Sequence, residues 1–119
     1  MSQKPSLVSQ EYAQWAFGLV EAWEAQKGKE RKELKSHLRK LPSALQASGL
    51  AQTLLFYGKK RKEIAAALGL ALLNESNVAS CVERLAQKSA SEYRMLARQA
   101  MERAQWLKRF AEVMLEEEG

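Results

Sequence analysis

The chain has 119 residues, of which 46% are hydrophobic, and its 19 Lys and Arg against 14 acidic residues give a formal net charge of +5. A chain of this length typically forms one domain that buries about two-thirds of its unfolded surface without metals or disulfide bonds. Every acidic residue is Glu, and there is one His and one Cys. This inventory excludes triads that need Asp and zinc sites that need several Cys or His, so we expect no catalytic residue, no metal, no cofactor and no small-molecule substrate.

Cysteine usage and hydropathy indicate where such a protein resides. Cys81 has no partner for an intramolecular disulfide bond, which fits a reducing compartment. The N-terminus has no apolar run typical of a secretory signal. The longest stretch without a charge, residues 41–58, is interrupted by Pro42 and Gly49 and is too polar to span a bilayer. We therefore expect a soluble, cytoplasmic protein.

The first half of the chain predicts two amphipathic helices after a short tail of about residues 1–8. Residues 9–26 repeat apolar side chains at helical spacing, and this helix ends near Gly28. Residues 29–41 form a second helix with a narrow leucine seam and a wide basic face. It stops at or just before Pro42, because proline disfavours helical geometry in the residue before it.

The middle of the chain predicts short helices separated by glycines. Pro42 starts a helical turn that Gly49 closes, and the nearly all-apolar residues 50–57 form a buried helix that Gly58 ends. Four consecutive cations follow, and we expect all of them to be exposed at the helix end, where positive charge is favourable. They are Lys59, Lys60, Arg61 and Lys62.

The remaining residues predict three more helices. Residues 62–73 are rich in Ala and Leu, residues 74–77 form a turn, and a short helix follows from residue 78 to about residue 87. A long helix over residues 89–118 begins with a capping box between Ser89 and Glu92. No segment alternates as a half-buried strand does, so we predict an all-α, single-domain bundle of about six helices that ends in this long helix.

The charge is concentrated in residues 27–62. Eleven basic residues minus two acids give this region a charge of +9, whereas the rest of the chain is net negative. A one-sided basic field indicates a polyanionic partner. The ordinary alternative is a solvated surface without a ligand.

Three further interpretations concern the second half of the chain. Trp106 and Phe110, four residues apart, lie beside the apolar stripe of the long helix and belong either to the core or to a partner interface. The acidic residues Glu116, Glu117 and Glu118 could meet residues 59–62 of another copy, which predicts salt-sensitive self-association. Residues 63–87 are compatible with a helix-turn-helix DNA-binding regulator, although the second helix starts late for that motif.

Two stretches together identify a family resemblance. Residues 39–57, RKLPSALQASGLAQTLLFY, resemble the KLPALI…NGLGQALAFY signature of the small helical subunit of the Cmr (type III-B) CRISPR-associated RNA-targeting complex. Residues 106–112, WLKRFAE, are similar to that family's ending, with Tyr93 upstream at the position of its tyrosine.

The resemblance implies a non-catalytic subunit for antiviral defence that stacks in the inner filament and helps hold crRNA and target RNA. It implies as partners the other Cmr subunits, the two RNAs and further copies of itself. We expect phosphate contacts from Arg39, Lys40, Lys59, Lys60, Arg61, Lys62, Arg98 and Arg109. The partner interface is expected at Trp106, Phe110, Glu116, Glu117 and Glu118. A pure protein scaffold is the alternative in which the basic face has no ligand.

Overall fold

The computed structural model describes the backbone of residues 3–116 and the side chains from Val8 onward. In this range, five α-helices follow one another with no strand between them. They are α1 Gln3–Trp23, α2 Gly28–Lys60, α3 Lys62–Leu73, α4 Val78–Ala86 and α5 Ala90–Met114. The predicted all-α class is confirmed, and five helices are close to the predicted six because α2 joins segments that we expected to be separate.

Helix α2 continues through Pro42, so the predicted boundary there is wrong. A proline inside a helix removes one backbone hydrogen bond and its ring crowds the carbonyl four residues earlier, but packing can carry the helix past it. Leu38 and Leu41 before the proline are fully buried, and Leu45 after it is 7% exposed. Burial on both sides of Pro42 therefore outweighs its local preference.

The break predicted at Gly49 is confirmed, because this residue adopts φ 84 and ψ 169 inside α2. Such positive φ values are accessible to glycine at little cost. The interruption removes normal helical partners from the following N–H groups. The N–H of Ala51 instead donates to the Tyr93 hydroxyl at 3.0 Å, which gives Tyr93 a structural role in the bend.

The chain divides into two compact units. Unit 1 comprises Met1–Pro42 and Glu102–Gly119, and unit 2 comprises Ser43–Met101, so α2 and α5 contribute residues to both. The fully buried apolar side chains of unit 1 include Ala16, Val20, Leu34, Leu38, Leu41, Ala104, Leu107 and Ala111. The buried aliphatic side chains of unit 2 include Leu50, Leu54, Ile64, Leu68 and Leu85. Burying a leucine in this way stabilises the fold by about 1.5–3 kcal/mol.

The predicted α3, its turn and α4 agree with the structure to within one residue. Asn74 adopts a left-handed conformation at the end of α3, and the Asn77 side chain accepts a hydrogen bond from the Ser80 N–H at 2.9 Å. Gly69 allows the turn to fold closely against α3, since a Cβ there would collide with the Glu75 carbonyl oxygen. None of the described helices is by itself long and apolar enough to cross a bilayer; only α3 and α4, taken as a bent pair, pass by length and composition.

The start of α5 agrees with the prediction, whereas the end of α5 and the start of α1 differ from it. The capping box of α5 is confirmed, with the Glu92 N–H donating to Ser89 at 3.1 Å and the Ser89 N–H donating to the Glu92 carboxylate at 3.2 Å. The helix ends at Met114 rather than near residue 118, and residues 117–119 lie outside the described part. Helix α1 begins at Gln3, so the tail predicted for residues 1–8 is helical from that residue.

Candidate nucleic-acid interface

Unit 1 carries a surface groove between α2 and α5 whose charged lining residues are mainly basic. It consists of two adjoining hollows of about 320 and 350 Å³ that share Lys108 and Glu112. We call the lining residues the basic groove: Ser36, Arg39, Lys40 and Pro42 on α2, and Gln105, Lys108, Arg109 and Glu112 on α5. Four of these side chains are basic and one is acidic, which leaves a local charge of +3.

Helical spacing explains why these residues share one surface. Arg39 and Lys40 follow Ser36 on α2 by three and four residues, and Lys108 and Arg109 follow Gln105 on α5 in the same way. The interleaved residues Leu38 and Leu107 have no exposed surface. Burial of these apolar residues thus fixes which side of each helix faces the core, and the cations lie at the edge of that buried side.

The charges in the basic groove are only weakly compensated. Arg39 Nε lies 3.5 Å from Glu112 Oε2, and the two side chains are 58% and 42% exposed. Exposed pairs of this kind contribute about 0–1 kcal/mol, so Glu112 orients Arg39 without removing it from solvent. Among the described residues, the exposed Lys40 and Lys108 form no ion pair. The groove therefore presents cations that a phosphate backbone can neutralise.

A row of aromatic rings begins at the edge of the basic groove. The Arg109 guanidinium lies 5.0 Å from the Trp106 ring centre, and Trp106 stacks on Phe110 at 5.8 Å. Phe110 in turn makes an edge contact with Phe17 at 5.6 Å. Trp106 and Phe110 are both half-buried, so they are neither fully core nor fully exposed, and their partner role stays a prediction.

Trp106 also lines a separate hollow of unit 1, of about 420 Å³. Its walls come from α1 and α5 and are formed by Val8, Ser9, Tyr12, Glu102, Gln105, Trp106 and Arg109. Arg109 therefore borders both the basic groove and this more apolar hollow.

Residues 59–62 differ from the prediction at one position. Lys59, Lys60 and Lys62 are exposed, but Arg61 is only 8% exposed, so the expectation that all four cations are solvated is wrong for Arg61. It is the residue between α2 and α3, and its Nη1 lies 3.2 Å from a Glu63 carboxylate oxygen. A buried and paired guanidinium is poorly placed to contact RNA.

The other predicted site residues are distributed over both units. Arg98 is exposed on the part of α5 that belongs to unit 2, away in sequence from the basic groove. Glu116 is exposed in unit 1, whereas Glu117 and Glu118 lie outside the described residues. Lys108 is the groove cation that we did not predict, because a linear charge count does not reveal which α5 residues face α2.

Arg31 has a structural role that the sequence did not reveal. Its Nη1 donates to the Glu24 carbonyl at 2.8 Å, its Nη2 to the Met114 carbonyl at 3.1 Å, and its Nε to the Glu116 carbonyl at 3.2 Å. These carbonyls follow or end α1 and α5, where helix acceptors have no backbone partner. One cation of the basic region is thus used to hold two helix ends together.

A second structural arginine joins α1 to α5. The Arg103 guanidinium lies 4.3 Å from the Tyr12 ring centre and 4.7 Å from that of Trp15. Burial lowers the pKa of Arg103, and the nearby Tyr12 and Glu11 oppose this change. From the sequence we considered arginines only as surface charges, although the planar guanidinium also packs well on aromatic rings.

The helix-turn-helix alternative gains no support from α3 and α4. The two helices are bent by 42°, whereas DNA-reading pairs cross at about 90–120°. The exposed charged residues of α4 are Glu83 and Arg84, and Arg84 lies 3.8 Å from Glu75. This helix therefore presents little positive charge to DNA.

Cys81 has the surroundings of a structural residue. Its buried thiol donates to the Glu75 carbonyl at 3.0 Å. Burial raises the pKa of Cys81, the Glu75 carboxylate raises it further, and Arg84 lowers it in part. A thiol with a raised pKa is a poor nucleophile at neutral pH. Within residues 3–116 we find no group of three or more His, Cys, Asp or Glu placed to hold a metal ion.

Comparison with known proteins assigns the family. Residues 8–114 match the model of the family described as CRISPR-associated protein (Cas_Cmr5). The CRISPR system Cmr subunit Cmr5 of Thermus thermophilus is 35% identical over 112 residues, covering 92% of this chain and 96% of the relative. The crystal structure of a CRISPR-associated Cmr5 family protein from the same organism superimposes with a TM-score of 0.76 at 30% identity, covering 92% of this chain and 98% of that one. The chain belongs to the CRISPR-associated Cmr5 family.

Proposed function

We propose that this chain is a non-catalytic subunit of a Cmr (type III-B) CRISPR effector complex and that its basic groove helps hold crRNA and target RNA. The T. thermophilus relative is described as a Cmr subunit and shares almost the whole length of the chain. The observation that carries the RNA-binding part is the groove itself, where Arg39, Lys40, Lys108 and Arg109 face a lone Glu112.

The chemistry of the groove suits the phosphate backbone rather than the bases. Lys40 and Lys108 are flexible point charges, and Arg39 and Arg109 can donate two hydrogen bonds to one phosphate. Contacts of this kind position a strand without reading its sequence. Base pairing between guide and target would supply the sequence information, while the cations release counterions and make binding salt-dependent.

A second group of cations belongs to unit 2. Lys59, Lys60 and Lys62 are exposed at the junction of α2 and α3, and Arg98 is exposed on α5. We keep these four as proposed phosphate contacts and leave out Arg61, because it is buried and paired.

The non-catalytic role is supported by residue chemistry. With no Asp in the chain and only one His and one Cys, the chain cannot supply a triad that contains Asp or a site that needs two histidines. Cys81 is buried and its pKa is raised, so it does not supply an activated thiolate. RNA cleavage would then belong to other subunits.

Stacking of copies in an inner filament is the second part of the proposal. The half-buried pair Trp106 and Phe110 would meet a neighbouring copy or another Cmr subunit, and the exposed Glu116 would meet residues 59–62 of another copy; Glu117 and Glu118, proposed for the same contact, lie outside the described residues. A contact between two different surfaces of the same chain propagates as a stack. Light scattering should show self-association that decreases with salt, and charge reversal of residues 116–118 that leaves it unchanged would contradict this contact.

A reconstituted complex separates an RNA clamp from a pure scaffold. The test replaces Lys40 and Lys108 by Gln and measures both the amount of subunit retained in the complex and the affinity for target RNA. We expect normal assembly and weaker target binding, since these exposed side chains are not buried in the core. Normal assembly with unchanged affinity at every salt concentration would instead establish the scaffold role.

A further inference from the structure

Phe56 is an exposed aromatic residue beside the cations of unit 2. It lies near the end of α2, and both it and the preceding Leu55 are 49% exposed. Phenylalanine is among the residues most often buried, so a half-exposed phenyl ring next to exposed cations is a candidate ligand contact. We infer that Phe56 stacks on an unpaired base of bound RNA while Lys59 and Lys60 contact the flanking phosphates.

The helix places the three side chains on one surface. Lys59 and Lys60 follow Phe56 by three and four residues, and helical residues at these separations are neighbours, with Cβ atoms about 5–6 Å apart. Both lysines are exposed, and Lys62 adds a third exposed cation at the start of α3. A strand whose phosphates follow these cations would pass its bases over the Phe56 ring.

The Phe56 ring has a rigid support. It makes an edge contact with Tyr57 at a centroid distance of 4.9 Å and an interplanar angle of 87°. Tyr57 itself is only 2% exposed, so its ring is held by the core of unit 2. An aromatic platform that is already oriented loses little conformational freedom when a base stacks on it.

The surrounding charge favours nucleic acid over a protein partner. The cores of protein interfaces are depleted in lysine, whereas single-strand sites combine exposed aromatic rings with a track of cations. Stacking also requires a base face that a duplex keeps covered by its neighbours. This inference rests on the proposed RNA-holding function and adds to it a preference for unpaired nucleotides at unit 2.

The experiment measures binding of the full-length protein to two labelled RNA strands by fluorescence anisotropy over a range of salt concentrations. One strand is intact, and the other carries abasic sites, which keep the phosphates and remove the stacking faces. The variants are Phe56→Leu, which keeps an apolar side chain but removes the ring, and Leu55→Ala as a matched control with equal native exposure. Phe56→Tyr restores an aromatic ring.

We expect Phe56→Leu to weaken binding of the intact strand by about five- to tenfold with an unchanged salt slope, because stacking does not release counterions. Wild-type and Phe56→Leu proteins should bind the abasic strand equally. Leu55→Ala should behave as wild type, and Phe56→Tyr should retain wild-type affinity, with thermal melting used to verify that each variant is folded.

Different results overturn different claims. Equal affinity of Phe56→Leu and wild type for the intact strand, with normal salt dependence, would reject the stacking contact and leave the proposed function standing. Equal losses in Phe56→Leu and Leu55→Ala would reject a contact specific to the Phe56 ring, because the control variant has lost no aromatic side chain. Wild-type binding that does not respond to salt would reject the RNA-holding function itself.

Discussion

The basic groove and residues 59–62 are both rich in cations, but they arise in opposite ways. Residues 59–62 are a continuous run in the sequence, and one of the four, Arg61, is buried against Glu63. The basic groove draws its cations from α2 and α5, whose contributing residues are far apart in the sequence and were not grouped by charge counting. Folding thus removed a cation from the obvious cluster and assembled a second cluster from dispersed residues.

The comparison shows that an arginine in a basic region is not automatically available to a polyanion. Arg31 donates to helix-end carbonyls and Arg61 pairs with a carboxylate, whereas Lys40 and Lys108 are exposed and form no ion pair within the described residues. The planar guanidinium favours such multidentate structural contacts, and the lysine ammonium is more often left in water. Substitutions should therefore separate into those that change stability and those that change RNA binding.

The largest effect on stability is expected for Arg31. Replacing it by Ala leaves carbonyls near the ends of α1 and α5 without their charged donor, and should lower the free energy of unfolding by about 3 kcal/mol. Arg31→Lys keeps the charge but not the forked geometry, so its free energy of unfolding should lie between those of wild type and Arg31→Ala. Chemical denaturation measures the difference, and a stability of Arg31→Ala equal to wild type would contradict the structural role.

Arg61 and its neighbour Lys60 test the comparison within one run of cations. Arg61→Gln should lower the free energy of unfolding by about 2 kcal/mol, because it leaves the Glu63 carboxylate without its buried partner. Its affinity for single-stranded RNA, measured under folded conditions, should stay within about twofold of wild type. Lys60→Gln should leave the free energy of unfolding unchanged and weaken the binding of single-stranded RNA. If Arg61→Gln reduced RNA affinity as strongly as Lys60→Gln, Arg61 would have to be restored to the RNA contacts.

Lys108 and Lys32 separate the groove from net charge. Both are exposed lysines of unit 1, but only Lys108 lines the basic groove. Lys108→Gln should weaken RNA binding by about three- to tenfold at low salt and reduce the salt slope by about 0.7, the value for one phosphate contact on a single strand. Lys32→Gln removes the same charge and should have a smaller effect. Equal slopes for the two variants would mean that only total charge matters.

The smallest change is expected at Glu112, the acidic residue of the groove. Glu112→Gln removes its repulsion of phosphate and releases Arg39, and should strengthen RNA binding by about twofold without a measurable change in stability. Titrations at low salt provide the necessary sensitivity. Weaker binding of this variant would show that the Arg39 orientation matters more than the added positive charge.

Much of the helical architecture was predictable because local signals agreed with packing. Asn74 and Asn77 bound the turn between α3 and α4, Ser89 and Glu92 form the expected capping box, and Gly49 provides the expected break. In each case the signal is a property of a few neighbouring residues. Such features do not depend on what the rest of the chain does.

Other features depend on contacts between distant residues and were mispredicted or missed. Gly58 was expected to end a helix, but α2 continues to Lys60. The glycine instead leaves room for the Val78 side chain, because a Cβ at Gly58 would lie 3.1 Å from it. The resemblance identified the family but did not indicate that Lys108 joins Arg39 and Lys40, because that grouping requires α2 and α5 to be adjacent. Sequence therefore predicted the helices better than it predicted which cations are accessible.

Photo-crosslinking of RNA in the assembled complex tests the central claim most directly. A complex that contains this subunit, crRNA and target RNA is irradiated, and crosslinked peptides are identified by mass spectrometry. The account predicts crosslinks in residues 36–42 and 105–112, which contain the basic groove. A complex that binds target RNA normally but yields no crosslink in either segment would contradict the assignment of the groove as an RNA-holding surface.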